Sequence, residues 1–313
     1  MRDVDLAIIG AGAAGLTAAA VAARSGLDVV VIERMGVGGQ VMTVGRIDNL
    51  PDHPEGIAGF DFGPSLQEAA EDAGASFALD TVVRLEPAST LDAAARHVLH
   101  CEGETVAARA VLVAAGSTRR KLGVPGEAAF EGRGVSHCAC CDGPLFSGEP
   151  VCVVGGGDSA VGEAIALAAH ASAVTLVFEG SAPHAQPYLL EALARLPNVS
   201  LRPNARVTAI DGQDSVTGVQ LHTDTGNQRL PSTGVFIYAG LVPAHGFLGE
   251  ALALDPEGRV MADAGWRSSV PGIHVAGDIR SGVPYTLVAA IEDGAAAAHA
   301  IVQFLNNNPG DKT

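Results

Sequence analysis

Val4-Asp5-Leu6-Ala7-Ile8-Ile9-Gly10-Ala11-Gly12-Ala13-Ala14-Gly15 joins a short apolar run to a glycine turn, and an Ala-rich stretch continues from it to Ser25. A second apolar run, Leu27 to Ile32, ends on Glu33. This order predicts a βαβ start, with a buried parallel strand, a tight turn and a helix N-terminus. The first glycine permits the turn, the second lets backbone approach a pyrophosphate, and the third lets the helix pack close to the strand. Glycines alone also serve ordinary packing. Glu33, 23 positions after Gly10, adds a carboxylate at the end of the second strand, where it accepts hydrogen bonds from ribose hydroxyls. Together they predict a dinucleotide site.

A similar unit recurs at Val151 to Val154, followed by Gly155-Gly156-Gly157-Asp158-Ser159-Ala160, a helix through Ala169, a strand Val174 to Phe178, and Glu179. Its spacing is looser, yet a helix N-terminus opened by glycines suits a phosphate. Glu179 stands 24 positions after Gly155. A carboxylate there accepts from a free 2′-hydroxyl and repels a 2′-phosphate, which favours NAD over NADP; the competing reading is a solvated strand-end charge. Two such units imply two dinucleotides.

Between the units, Ala110 to Ala115 reads as an apolar strand ending in Gly116, and Arg119 to Glu127 as a Pro- and Gly-bearing linker. Ala239 to His245 is a second linker. Beyond it come Pro271-Gly272-Ile273-His274-Val275-Ala276-Gly277-Asp278 and an Ala-rich helix from about Tyr285 to Leu305. The fold class expected is α/β, with two Rossmann-like three-layer nucleotide-binding domains, the second inserted in the first. The expected bounds are 1–117 plus 244–313 for the first and 118–243 for the second.

Of the 313 residues 48% are hydrophobic and 17% charged, which excludes disorder, collagen and coiled coil. The net charge of −16 disfavours nucleic acid as a partner. Leu6 to Ala23 is an uncharged run of 18 residues. Interrupted by Gly10, Gly12 and Gly15, it reads as strand, turn and helix rather than a membrane span. A soluble, cytoplasmic protein is expected. Three of the five Cys lie within four positions, which points to a reactive site in a reducing compartment.

That cluster is His137-Cys138-Ala139-Cys140-Cys141-Asp142. A Cys-x-x-Cys pair closes a small disulfide ring, and the adjacent acid can exchange protons with the departing thiol. Zinc usually needs two spaced ligand pairs, and only Cys101 and Cys152 remain, so no metal is expected. Cys140 reads as a small side chain that happens to be Cys. His137 either lowers a thiol pKa or simply packs.

This ordered series resembles the low-molecular-weight thioredoxin reductase family, and the match spans nearly the whole chain. It rests on Gly10 to Gly15 with Glu33, Gly38-Gly39-Gln40, Asp48-Asn49-Leu50-Pro51, Leu122 to Glu127, Cys138 to Gly143, Val153 to Ala160, and Pro271 to Asp278. The resemblance implies FAD, with Gly10, Gly12, Gly15 and Glu33 at its adenosine half, Gln40 and Asn49 near the flavin, and Asp278 on the ribityl chain. Ala13, Ala14, Arg34, Gly39, Ala115, Gly116, Gly277, Thr286 and Leu287 complete the implied cofactor set. Gly155, Gly157, Asp158, Ser159, Ala160 and Glu179 are the implied nucleotide set. Cys141 would face the flavin, Cys138 would attack the substrate disulfide, and Asp142 would be the general acid. The family is commonly dimeric, which implies a homodimer.

Two departures stand out. Where the family has a His-Arg-Arg run for a 2′-phosphate, this chain reads Phe178-Glu179-Gly180, and Tyr285-Thr286-Leu287 stands where the family has Tyr-Arg-Gln. The favoured donor is therefore NADH over NADPH, with neither as the remaining case. Three functions follow. The first is an NADH-dependent reductase of a thioredoxin-like disulfide. The second is a dithiol oxidase passing electrons from a small dithiol to oxygen, with a ferredoxin-linked thioredoxin reductase beside it. The third is a flavin-bearing regulatory protein, which the intact Cys138, Cys141 and Asp142 oppose.

Overall fold

The computed structural model describes residues 1–89 and 95–308. The chain divides into two compact units, Met1–Thr118 with Val242–Thr313, and Arg119–Leu241. One cut falls where the Arg119 to Glu127 stretch begins and the other inside the Ala239 to His245 stretch.

The first unit is built on a seven-stranded sheet. Arg2–Ile9 lies at its centre, parallel to Val29–Glu33 on one side and to Val106–Val113 on the other. Ser76–Leu79 extends the sheet beyond Val29–Glu33. The far side of Val106–Val113 carries His97–Cys101 antiparallel and then Ile273–Val275 parallel. The apolar runs are uninterrupted because both sheet faces are covered. Leu6, Ile8, Val29 and Val31 face the Ala-rich helices, while Ala7, Ile9, Val30 and Ile32 pack with Leu248, Leu252 and Ile279.

The uncharged run from Leu6 is indeed strand, turn and helix, the helix being Ala13–Arg24. Leu287–Asn307 is long and apolar enough to cross a membrane by length and composition. Its Gly294, Ala297, Ala298, Ile301 and Leu305 are nevertheless buried, and a Cβ on Gly294 would overlap the Ala14 carbonyl oxygen. It is a core helix of this unit. It starts at Leu287 rather than about Tyr285, because Thr286 is its N-cap and accepts a hydrogen bond from the Ala289 N–H at 3.2 Å.

The second unit centres on five parallel strands in the order Val199–Arg202, Ala173–Val177, Pro150–Val154, Gly234–Ile237 and Val135–Ser136. The helix Asp158–Ala168 follows the glycine turn. Ala205–Gly212, Val216–Thr223 and Gly226–Pro231 form a separate antiparallel sheet. Both units thus have the Rossmann-type α/β construction expected.

Candidate functional site

In the first unit the turn leaves the strand at Gly10, whose φ of 103° only glycine adopts readily, and a Cβ there would strike the Ala114 carbonyl. A Cβ on Gly15 would overlap the Gly10 carbonyl oxygen, so helix and turn meet backbone to backbone. Gly12 differs from both, since a Cβ on it would meet nothing within 4 Å. Gly12 is also the helix N-cap, with no side-chain cap and no acidic residue in the first turn, so the helix's own side chains leave its leading N–H groups uncapped. Glu33 accepts hydrogen bonds from the N–H of Ala11 at 2.8 Å and of Met35 at 3.1 Å. A carboxylate has about four acceptor positions, so capacity remains for ribose hydroxyls. Room at Gly12, a helix N-terminus with no side-chain cap and a fixed acid fit the pyrophosphate and ribose of FAD.

The cradle continues into neighbouring loops. Gly38 donates to the Ala11 carbonyl at 2.8 Å, and a Cβ on Gly39 would lie 3.2 Å from the Gly12 Cα. Gln40 Nε2 donates to Ser117 Oγ at 2.8 Å and to Asp278 Oδ2 at 3.3 Å, and Ser117 Oγ donates to the same oxygen at 3.2 Å. Burial raises the Asp278 pKa. Ala115 lies beside Gly10, and a Cβ on Gly277 would stand 2.9 Å from that of Ala14. Leu287 packs with Ile47, Leu50 and Phe62, which ties it to the loop carrying Asn49. Arg34 and Asn49 are exposed and enter no described hydrogen bond or ion pair.

Sequence reasoning missed the group holding the Gly277–Asp278 turn. Buried Asp293 accepts from the Gly277 N–H at 2.7 Å and from Trp266 Nε1 at 2.6 Å, and pairs with Arg280. The available signal was an acid amid the apolar positions of an Ala-rich helix.

The second turn is similar in backbone and different in surroundings. Gly155 has φ of 135°, and a Cβ on it would overlap the Tyr238 carbonyl oxygen. A Cβ on Gly157 would meet the His184 imidazole at 3.4 Å. Asp158 opens the helix and accepts from the Gln186 N–H and Nε2, both at 2.8 Å. Ser159 and Ala160 follow it in the first turn. Glu179 is exposed, just past Ala173–Val177, and enters no described hydrogen bond or ion pair.

Cys138 and Cys141 form a disulfide with Cα atoms 5.3 Å apart. Cys138 is the N-cap of the short helix Ala139–Asp142, its sulfur accepting from the Cys141 N–H at 3.2 Å. Cys138 is 8% exposed, while Cys140 and Cys141 are at the surface. Ser136 Oγ donates to Asp142 at 2.6 Å and accepts from the Cys138 N–H at 3.2 Å, which couples the acid to the cysteine segment. His137 turns away from the sulfurs, toward Glu131 and the Ile237 carbonyl. It does not serve a thiol in this arrangement.

Beneath the cysteines lies a pair that the sequence did not signal. Glu163 Oε2 accepts from the Ala139 N–H at 2.8 Å and from Tyr238 Oη at 3.1 Å. Burial pushes the Glu163 carboxyl up. The Tyr238 phenol is pushed up as well, first by burial and then by the Glu163 charge.

Two nucleotide-type turns and a redox disulfide define a pyridine-nucleotide-linked disulfide oxidoreductase. The chain belongs to the pyridine nucleotide-disulphide oxidoreductase family, whose model matches residues 4–294. It is 36% identical over 308 residues to the thioredoxin reductase of Treponema pallidum, covering 97% of this chain and 98% of that one. The thioredoxin reductase of Listeria monocytogenes is 37% identical over 305 residues, covering 96% and 93%. The solved thioredoxin reductase of Lactococcus lactis superposes with a TM-score of 0.92 at 31% identity, covering 97% of this chain and 99% of that one. The fold is that of the low-molecular-weight thioredoxin reductases, and the chain is an FAD-dependent, thioredoxin reductase-like disulfide oxidoreductase.

Proposed function

We propose that the chain uses NADH to reduce a thioredoxin-type disulfide through the Cys138–Cys141 pair. Glu179 carries the donor assignment. It is exposed and enters no ion pair among the described residues, and Phe178 to His184 contains no Arg or Lys. A 2′-phosphate placed there would meet a carboxylate, whereas a 2′-hydroxyl would find an acceptor. Gly155, Gly157, Ser159 and Ala160 would receive the pyrophosphate. The thioredoxin reductases among the relatives support the acceptor, and the reactive cysteines suit a reducing compartment, here inferred to be the cytoplasm. A homodimer is the assembly that the family resemblance implies.

FAD would be held by Gly10, Gly12, Ala13, Ala14, Gly15, Glu33 and Arg34, and by Gly39, Gln40, Asn49, Ala115, Gly116, Gly277, Asp278, Thr286 and Leu287. When bound, it supplies relay of an electron pair between nicotinamide and disulfide. Once the disulfide opens and Cys138 reaches the surface, its thiolate attacks the substrate disulfide and forms a mixed disulfide. Asp142, oriented by Ser136, gives a proton to the departing thiol. Cys141 then displaces the second substrate thiol and restores the internal disulfide.

A dithiol oxidase is the second reading, favoured by Phe178-Glu179-Gly180 in place of the family's Arg run and by Thr286-Leu287 in place of its Arg-Gln. Anaerobic titration with NADH and with NADPH separates the two. Loss of oxidised flavin absorbance with NADH supports the reductase. Loss with a small dithiol but with neither nucleotide overturns it in favour of the oxidase. In Glu179→Arg the preference for NADH over NADPH should fall by about tenfold or more, the scale of one charge-assisted hydrogen bond.

A further inference from the structure

Cys140 is the one sulfur of the Cys-Ala-Cys-Cys run that the proposed reaction leaves unused. Its Sγ lies 3.3 Å from that of Cys138 and 4.0 Å from that of Cys141, and the side chain is exposed. A third sulfur so close to a disulfide can take part in exchange, or it can share a soft centre with the other two after the disulfide opens.

Geometry and charge oppose exchange. An attacking sulfur approaches along the S–S axis, and with a bond of about 2.05 Å it would stand more than about 5 Å from the far sulfur. Cys140 instead sits beside the bond, 4.0 Å from Cys141. Partial desolvation, followed by the Glu163 and Asp142 carboxylates among the causes, raises its pKa, which disfavours the attacking thiolate.

Shared bonding suits the same triangle. A pyramidal centre bonded to three sulfurs at about 2.3 Å, an ordinary thiolate bond length, spaces them about 3.5 Å apart. The three Sγ atoms already lie within 4.8 Å of one another. Opening the disulfide releases the one edge that is too short.

From this triangle we propose that the reduced enzyme carries a three-thiol site, Cys138, Cys140 and Cys141, for a trivalent thiophilic centre of the arsenous acid type, and that the disulfide closes the site. Arsenous acid, As(OH)3, condenses with three thiols, forming three As–S bonds and releasing three waters. Arsenic stays trivalent, and each thiol proton leaves in a water molecule. Only the preceding step is redox, the disulfide taking up two electrons and two protons. Capture would hold the enzyme reduced and stop turnover. The inference rests on the reading of Cys138–Cys141 as the redox pair only in requiring that this bond open.

A trialkylphosphine opens it chemically, being oxidised to the phosphine oxide with oxygen from water, so the test is independent of any nucleotide. The FAD-loaded full-length protein, reduced in this way, is titrated with arsenite and separately with phenylarsine oxide, which forms only two bonds to sulfur. The remaining thiols are then counted. Arsenite should consume three thiols per arsenic in the native sequence and two in Cys140→Ser, with half-saturation in the variant at about tenfold or more higher arsenite. Phenylarsine oxide should consume two in both, and turnover without arsenic should be unchanged in the variant. Two thiols per arsenic in the native protein, or an arsenite titration unaltered by Cys140→Ser, would overturn the proposal. Cys140→Thr serves as a second variant if the first does not retain FAD.

Discussion

At Gly12 a methyl group would project into open space, whereas at Gly157 it would meet the His184 imidazole at 3.4 Å. The helix after Gly12 has no acid in its first turn, while the helix after Gly157 begins with Asp158. Glu33 is held by two backbone N–H groups, and Glu179 stands at the surface unheld. The chain therefore contains two turns of one design. On the proposed function the first would be preorganised for a permanently bound dinucleotide, and the second, looser and opened by an acid, would take one that comes and goes. Preorganisation raises affinity by reducing what must be ordered on binding.

The comparison is broken most directly at the two glycines. Gly12→Ala should fold, since the methyl meets no protein atom, yet lose FAD affinity by about a hundredfold, the scale of overpacking in a filled site. Gly157→Ala should keep FAD and weaken only the nicotinamide dinucleotide. Flavin content after dialysis and nucleotide titration of each variant measure both effects. Equal flavin loss in the two variants would erase the distinction.

A second contrast is titratable. Buried His97 and His274, both in the first unit, are pushed down to about 4 from the ordinary 6.5, chiefly by burial. Among the described residues the second unit has no such buried histidine. Because the folded pKa lies below the unfolded one, the stability is present above pH 6.5 and is lost as pH falls toward 4. Each histidine contributes at most about 3 kcal/mol to that loss. Melting followed by flavin release should shift downward over this window, and His274→Leu should flatten the shift. An unchanged slope in the variant would remove His274 from the account.

The smallest expected effect lies at Asp158. Its carboxylate opposes an anion at the helix N-terminus, so Asp158→Asn should tighten nucleotide binding about two- to fivefold at low salt. Weaker binding would show instead that the Asp158 hydrogen bonds to Gln186 shape the site.

Much of the architecture could be read locally. Gly10, Gly12 and Gly15 with Glu33 announced a βαβ unit, because at Gly10 and Gly15 backbone sterics leave only glycine a choice and the spacing to Glu33 completes the pattern. The unbroken apolar strands announced a sheet covered on both faces. The Cys138-x-x-Cys141 pair with Asp142 was equally plain, since its partners are three and four residues apart. The supports of these groups were not legible. Asp293 reaches Gly277 from a helix sixteen residues on. Glu163 and Tyr238 reach Ala139 from 24 and 99 residues away.

By itself, then, the sequence determined the repeated turn, the redox pair and the acids at the strand ends, because each depends on backbone conformation or on neighbours within a few residues. Only the tertiary structure decided which turn stands open, that Cys138 is buried while Cys140 and Cys141 are not, and which acids stand behind the disulfide segment. Those properties depend on what distant segments place around a residue, and packing between distant segments leaves no periodic mark in the chain.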